Sequence, residues 1–138
     1  MHDLPTRHRG AHIAVQLDAH LFVGDLLANK HHAWLERGAV DAWLETLAIL
    51  QGLEPKYVYP GRGYAAGPTL LARQAEYLRR FDAEVKAAHP QEELADAQKK
   101  VLVKAIERLY PDYRNAFFIN LGVSALWDKY ARSSPTLP

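Results

Sequence analysis

Two stretches decide how this chain is read: Leu21-Phe22-Val23-Gly24-Asp25-Leu26-Leu27, and Val58-Tyr59-Pro60-Gly61-Arg62-Gly63. Each is an apolar run of strand type that meets glycine beside a charged residue. An acid directly after an apolar strand and a glycine sits where open sheets commonly place their sites. By local pattern alone Asp25 serves equally well as a turn cap. In the second stretch two glycines flank Arg62 and mark a tight loop with unusual dihedrals. Arg62 there can bind an anion, pair with an acid such as Asp25, or remain solvated.

Working outward, Ile13, Val15 and Leu17 alternate with Ala14 and Gln16, the period of a half-buried strand. Asp18-Ala19 is a plausible turn, and His20 to Val23 returns as a second strand that ends at Gly24-Asp25. This hairpin would set His12 opposite His20. A helix is predicted over 39–51, with Val40, Trp43, Leu44, Leu47 and Leu50 on one face. A short strand, Tyr57 to Tyr59, follows. Pro68 suits the first turn of the next helix, whose buried stripe is Leu71, Ala75, Leu78, Phe81 and Val85. A third helix is expected from about Glu92 to Leu109, with Leu94, Ala97, Val101, Ala105 and Ile106 inward. A last helix, around Asn115 to Tyr130, is apolar on more than one side. The expected class is α/β (α+β): one domain over 1–138, a small sheet with about four helices, and an all-helical C-terminal part.

The chain has 138 residues, a formal net charge of +1 and no cysteine. The charge gives no electrostatic support to nucleic-acid binding. Lack of cysteine removes disulfides, thiolate zinc sites and cysteine nucleophiles. The polar start, Met1 to Gly10, lacks the apolar core of a signal peptide, and no stretch approaches the ~20 apolar residues that span a bilayer. A cytoplasmic location with no membrane partner is the expectation.

Seven histidines are present, and His8, His12, His20, His31 and His32 fall within the first 32 positions. Neutral imidazole and carboxylate are the usual ligands of catalytic zinc, but histidines clustered in sequence are more often solvent-exposed or loop residues. No Gly-rich phosphate loop, Gly-x-Ser-x-Gly elbow or His-Glu-x-x-His helix occurs, and Ser124, Ser133 and Ser134 have nothing beside them that marks a nucleophile.

In order, the pieces His8 to His12, Leu21 to Leu27, His32-Ala33-Trp34-Leu35, Trp43 to Leu47 and Val58 to Gly63 resemble the second half of metallo-β-lactamase-fold hydrolases. The likeness spans residues 8–90, with 91–138 as a helical extension. It implies half of an αββα sandwich. It also implies a metal-dependent hydrolase ancestry, in which zinc ions generate a hydroxide. Position by position, Asp25 matches the metal-bridging aspartate and His8 falls near a histidine ligand. His32 and Arg62 lie on the substrate side. Arg62 stands where the family has its last histidine, and a guanidinium cannot ligate a cation. The early His-x-His-x-Asp-His motif does not occur in this sequence. The implied ligand set for zinc is therefore incomplete, which opens two functional readings. One is a truncated hydrolase-family protein without full activity of its own. The other is a non-catalytic binding or assembly module. A half-sandwich would expose an apolar sheet face, so a homodimer or a complementing chain is the implied partner. A small-molecule substrate remains open.

Overall fold

The computed structural model describes residues 2–4, 12–35 and 39–133. Strands β1 (His2–Leu4), β2 (His12–Leu17), β3 (His20–Ala28) and β4 (Tyr57–Arg62) form one sheet in the order β1-β2-β3-β4. Neighbours β1–β2 and β2–β3 run antiparallel, while β3–β4 run parallel. Helices α1 (Val40–Gly52), α2 (Thr69–Ala87), α3 (Asp96–Leu109) and α4 (Phe118–Ser133) complete the domain. The α+β class, with a small sheet, four helices and an all-helical C-terminal part, is as the sequence leads one to expect.

The parallel pairing of β3 with β4 follows from α1 between them, because parallel neighbours need a crossover too long for a hairpin. Val40, Trp43, Leu47 and Leu50 are buried, all of them residues of the stripe anticipated for α1. Trp43 also donates its indole Nε1–H to the Leu26 carbonyl at 2.9 Å, which ties α1 to β3. Along α2, Leu71, Ala75, Leu78, Phe81 and Val85 are buried as the spacing requires.

Several expectations are corrected. β3 does not stop at Gly24-Asp25 but runs on to Ala28, and β4 extends through Pro60-Gly61 to Arg62. The register slips between Phe22 and Gly24, and again between Gly24 and Ala28. β3 thus carries more residues than β4 over the same span, which is how a bulge accommodates a left-handed residue such as Gly24 (φ +54°). His12 does not face His20. It pairs with Leu4, and Leu17 faces His20 across the turn. The His2–Leu4 strand lies in a segment that reads as merely polar. Helix α3 starts at Asp96 and turns inward on Leu102 and Ile106, leaving Val101 exposed. Its inward row is spaced by four residues against α4, so an apolar residue one step off that row faces solvent.

The helices cover one face of the sheet, where Ala14, Leu21, Val23 and Val58 are buried. The opposite face carries Ile13, Val15 and Leu17 from β2, His20 and Phe22 from β3, and Tyr57 and Tyr59 from β4. The registers align Leu17, His20 and Tyr57 in one row and Val15, Phe22 and Tyr59 in the next. Phe22 stacks on Tyr59 with ring centroids 4.4 Å apart, and His20 stacks on Tyr57 at 4.8 Å.

Candidate functional site

The two stretches that open the sequence reading meet in space. A Cβ at Gly61 would lie 2.5 Å from the Gly24 carbonyl carbon and 2.8 Å from the Asp25 Oδ1. Only glycine lets the Pro60-Gly61 backbone approach the β3 bulge this closely. One step on, Gly63 (φ +85°) passes so near Asn29 that a Cβ would meet its carbonyl oxygen at 2.3 Å. Asn29 closes the junction: its N–H donates to the Arg62 carbonyl at 2.9 Å, and its side-chain amide donates to the Tyr64 carbonyl at 2.9 Å.

Asp25 is exposed beside this junction. Among the described residues it makes no ion pair, and Arg62 does not turn toward it. The Arg62 guanidinium instead lies over the Phe118 ring at the start of α4, 4.7 Å from its centroid. The guanidinium–carboxylate pairing open to Arg62 in the sequence is thus replaced by a cation–π contact.

His32 is buried. Its Nδ1 lies 2.9 Å from the Tyr77 hydroxyl, and the Ala33 N–H donates to the same oxygen at 3.3 Å. The Tyr77 hydroxyl thus joins the His32 ring to the Ala33 backbone inside the core. Burial lowers the His32 pKa from 6.5 to about 4, and burial raises that of Tyr77. His32 is a neutral structural imidazole here, set apart from the open surface at Asp25. Its neighbour His31 accepts a hydrogen bond from the Asn115 amide at 3.0 Å. Burial first, then the charges of Arg114 and Arg62, hold its pKa below the ordinary value. His20 belongs to the exposed sheet face, where its Nδ1 lies 2.7 Å from the Tyr59 hydroxyl. His8 falls outside the described residues.

The arrangement brings Asp25 and the Arg62 loop together but separates His32 from both. A zinc ion needs at least three protein donors. Among the described residues no group of three histidine or carboxylate side chains is placed to hold a metal. Of the described candidates, Asp25 is the one donor at this junction. No helix among the described residues is long and apolar enough to cross a membrane.

Sequence reasoning missed the Tyr77 hydroxyl, although a tyrosine inside an otherwise aliphatic stripe four positions before Phe81 signals a buried polar partner. It also missed Arg114 and Asn115. Their segment pairs with His31 through a bridge, the His32 N–H donating to the Arg114 carbonyl at 2.8 Å and the Arg114 N–H to the Lys30 carbonyl at 2.9 Å. That contact joins positions more than eighty residues apart, beyond the reach of local pattern.

No protein-family model matches this chain, and no curated protein is significantly similar to it.

Proposed function

We propose that this chain is a metallo-β-lactamase-like half-domain that works by association, without metal-dependent hydrolase activity of its own. The observation that carries this reading is the uncovered sheet face. Ile13, Leu17, Phe22 and Tyr57 are 49%, 61%, 39% and 52% exposed, side by side on three adjacent strands. Contiguous apolar patches of this kind mark interaction sites. The occupant we assign is a second copy of the chain. The rows formed by β2, β3 and β4 carry no Lys, Arg, Asp or Glu, and the register puts the charged position of β1, Asp3, opposite Ile13 at the outer edge of the patch. Two copies can therefore meet about a two-fold axis without setting like charges against each other. Stacking of the aromatic rows would add to the area term.

A second reading is a hydrolase completed in trans, in which another polypeptide brings histidines to Asp25. What favours it is the exposed Asp25 carboxylate, unpaired with Arg62 and held at the β3 bulge.

Size exclusion with light scattering, joined to metal analysis of the same sample, tests both. The expected mass is twice 15.6 kDa, falling to one chain in a Phe22→Lys, Tyr57→Lys double variant that keeps its helical circular dichroism. A chain that stays monomeric at all concentrations overturns self-association. One equivalent of zinc per chain, lost on Asp25→Ala, overturns the claim that the chain holds no metal by itself.

A further inference from the structure

The loops after β3 and β4 and the segment leading into α4 converge on a group of side chains that the sheet-face reading does not use. Arg62, from the end of β4, lies over Phe118. Phe118 in turn stacks on Trp34 with nearly parallel rings, 5.8 Å between centroids and 8° between planes, and contacts Phe117 at 4.3 Å. Phe118 itself is buried at 8%, whereas Trp34 and Phe117 on either side of it are 49% and 63% exposed, so the open aromatic shelf beside the guanidinium belongs to those two rings. Arg114 enters from the other side, paired through its backbone with Lys30 and bridged to His31. His31 accepts from Asn115 on Nδ1 and so carries its hydrogen on Nε2.

Two features point the same way. Among the described residues neither Arg62 nor Arg114 pairs with a carboxylate: the ion pairs formed are Arg80–Glu76 and Lys129–Asp41. Backbone hydrogen bonds hold both arginines against one short segment, the Asn29 N–H donating to the Arg62 carbonyl and the Arg114 N–H to the Lys30 carbonyl, each at 2.9 Å, so two unpaired positive charges share a neighbourhood that an anion would relieve.

We propose that Arg62, Arg114 and His31, with the Trp34–Phe118 stack, form a binding site for a small organic anion bearing a flat ring. The guanidiniums would hold the phosphate or carboxylate group by charge-assisted hydrogen bonds, and the ring would lie on the aromatic shelf. Nothing in this site requires the sheet face, so the two proposals stand or fall separately.

Phenyl phosphate and inorganic phosphate are the probes, titrated into the chain by calorimetry. Phenyl phosphate is expected to bind one per chain and at least tenfold tighter than phosphate. Arg62→Met, which keeps an unbranched apolar stem against Phe118, and Arg114→Gln, at an exposed loop position, should each weaken it at least tenfold. Both variants are checked for unchanged melting temperature. Trp34→Leu should bring the two probes to within about threefold of each other. Absence of saturable phenyl phosphate binding overturns the site, as does unchanged affinity in either arginine variant. Equal affinity for both probes in the parent chain overturns the aromatic half of the proposal.

Discussion

Gly61→Ala is expected to destabilise the fold by about 3 kcal/mol, at the upper end of the cost of overpacking. The reason is the identity of the atoms a Cβ would meet. They are the carbonyl carbon and oxygen of Gly24, at 2.5 and 2.6 Å, and the Asp25 carboxylate at 2.8 Å. A flexible side-chain tip can move aside, but a backbone carbonyl inside a strand cannot without parting β3 from β4. A matched control comes from Gly52, the last residue of α1, where an added Cβ meets nothing within 4 Å. Gly52→Ala should be neutral or stabilising by up to about 1 kcal/mol, since it removes freedom from the unfolded chain. Urea midpoints of the two variants and the parent decide the matter. A Gly61→Ala protein as stable as the parent would mean that Gly24-Asp25 of β3 and Pro60-Gly61 of β4 do not touch.

The second large effect is on pH dependence and centres on His32. In the unfolded chain its imidazole takes a proton near pH 6.5, whereas in the fold it does so only near pH 4, because burial disfavours the charged ring. Between those values the unfolded state binds more protons than the folded one, so stability rises with pH through the window. The contribution is fully present above pH 6.5 and is lost as pH falls toward 4. The whole difference amounts to about 3 kcal/mol, of which about 2 is gone by pH 5. His31 acts in the same direction and leaves a residual slope. Urea unfolding at intervals from pH 7.5 to 5 should show the decline, and His32→Gln should remove most of it. A slope unchanged in that variant would rule out His32 as its source.

The two glycine-bearing stretches were legible because their information is local. Alternation gave the strands and spacing gave α1 and α2, whereas the close approach of Gly61 to Gly24 needed the structure. What local pattern could not carry was how far the strands run. Pro60 and Gly61 read as a stop, and Gly24 likewise, yet the pairing of β3 with β4 continues past all three because bulges absorb the extra residues. The inward stripe of α3 was misplaced for a related reason. Val101 is as apolar as Leu102, and only the position of α4 selects between them. At the site, the sequence left Arg62 free to pair with Asp25, to bind an anion or to stay solvated. The partner of Arg62 was not legible, because Phe118 lies more than fifty residues downstream on a helix whose several apolar sides gave no orientation. His32 reads identically in sequence as a surface or a buried residue until Tyr77 is placed beside it.

The Tyr77 ring packs against His32, Phe81, Tyr110 and Tyr113, with centroids 5.0 to 6.0 Å apart. One residue of α2 is thereby in contact with the loop that follows β3 and with the segment that links α3 to α4. The stretch beyond Pro90 is then no appendage that could be trimmed away. Cutting the chain there would strip the cover from Tyr77 and leave the His32 pocket open to water. Hydrogen exchange should accordingly find the slowest amides of α2 and α4 opening together, as a single cooperative unit rather than as two layers that melt in turn.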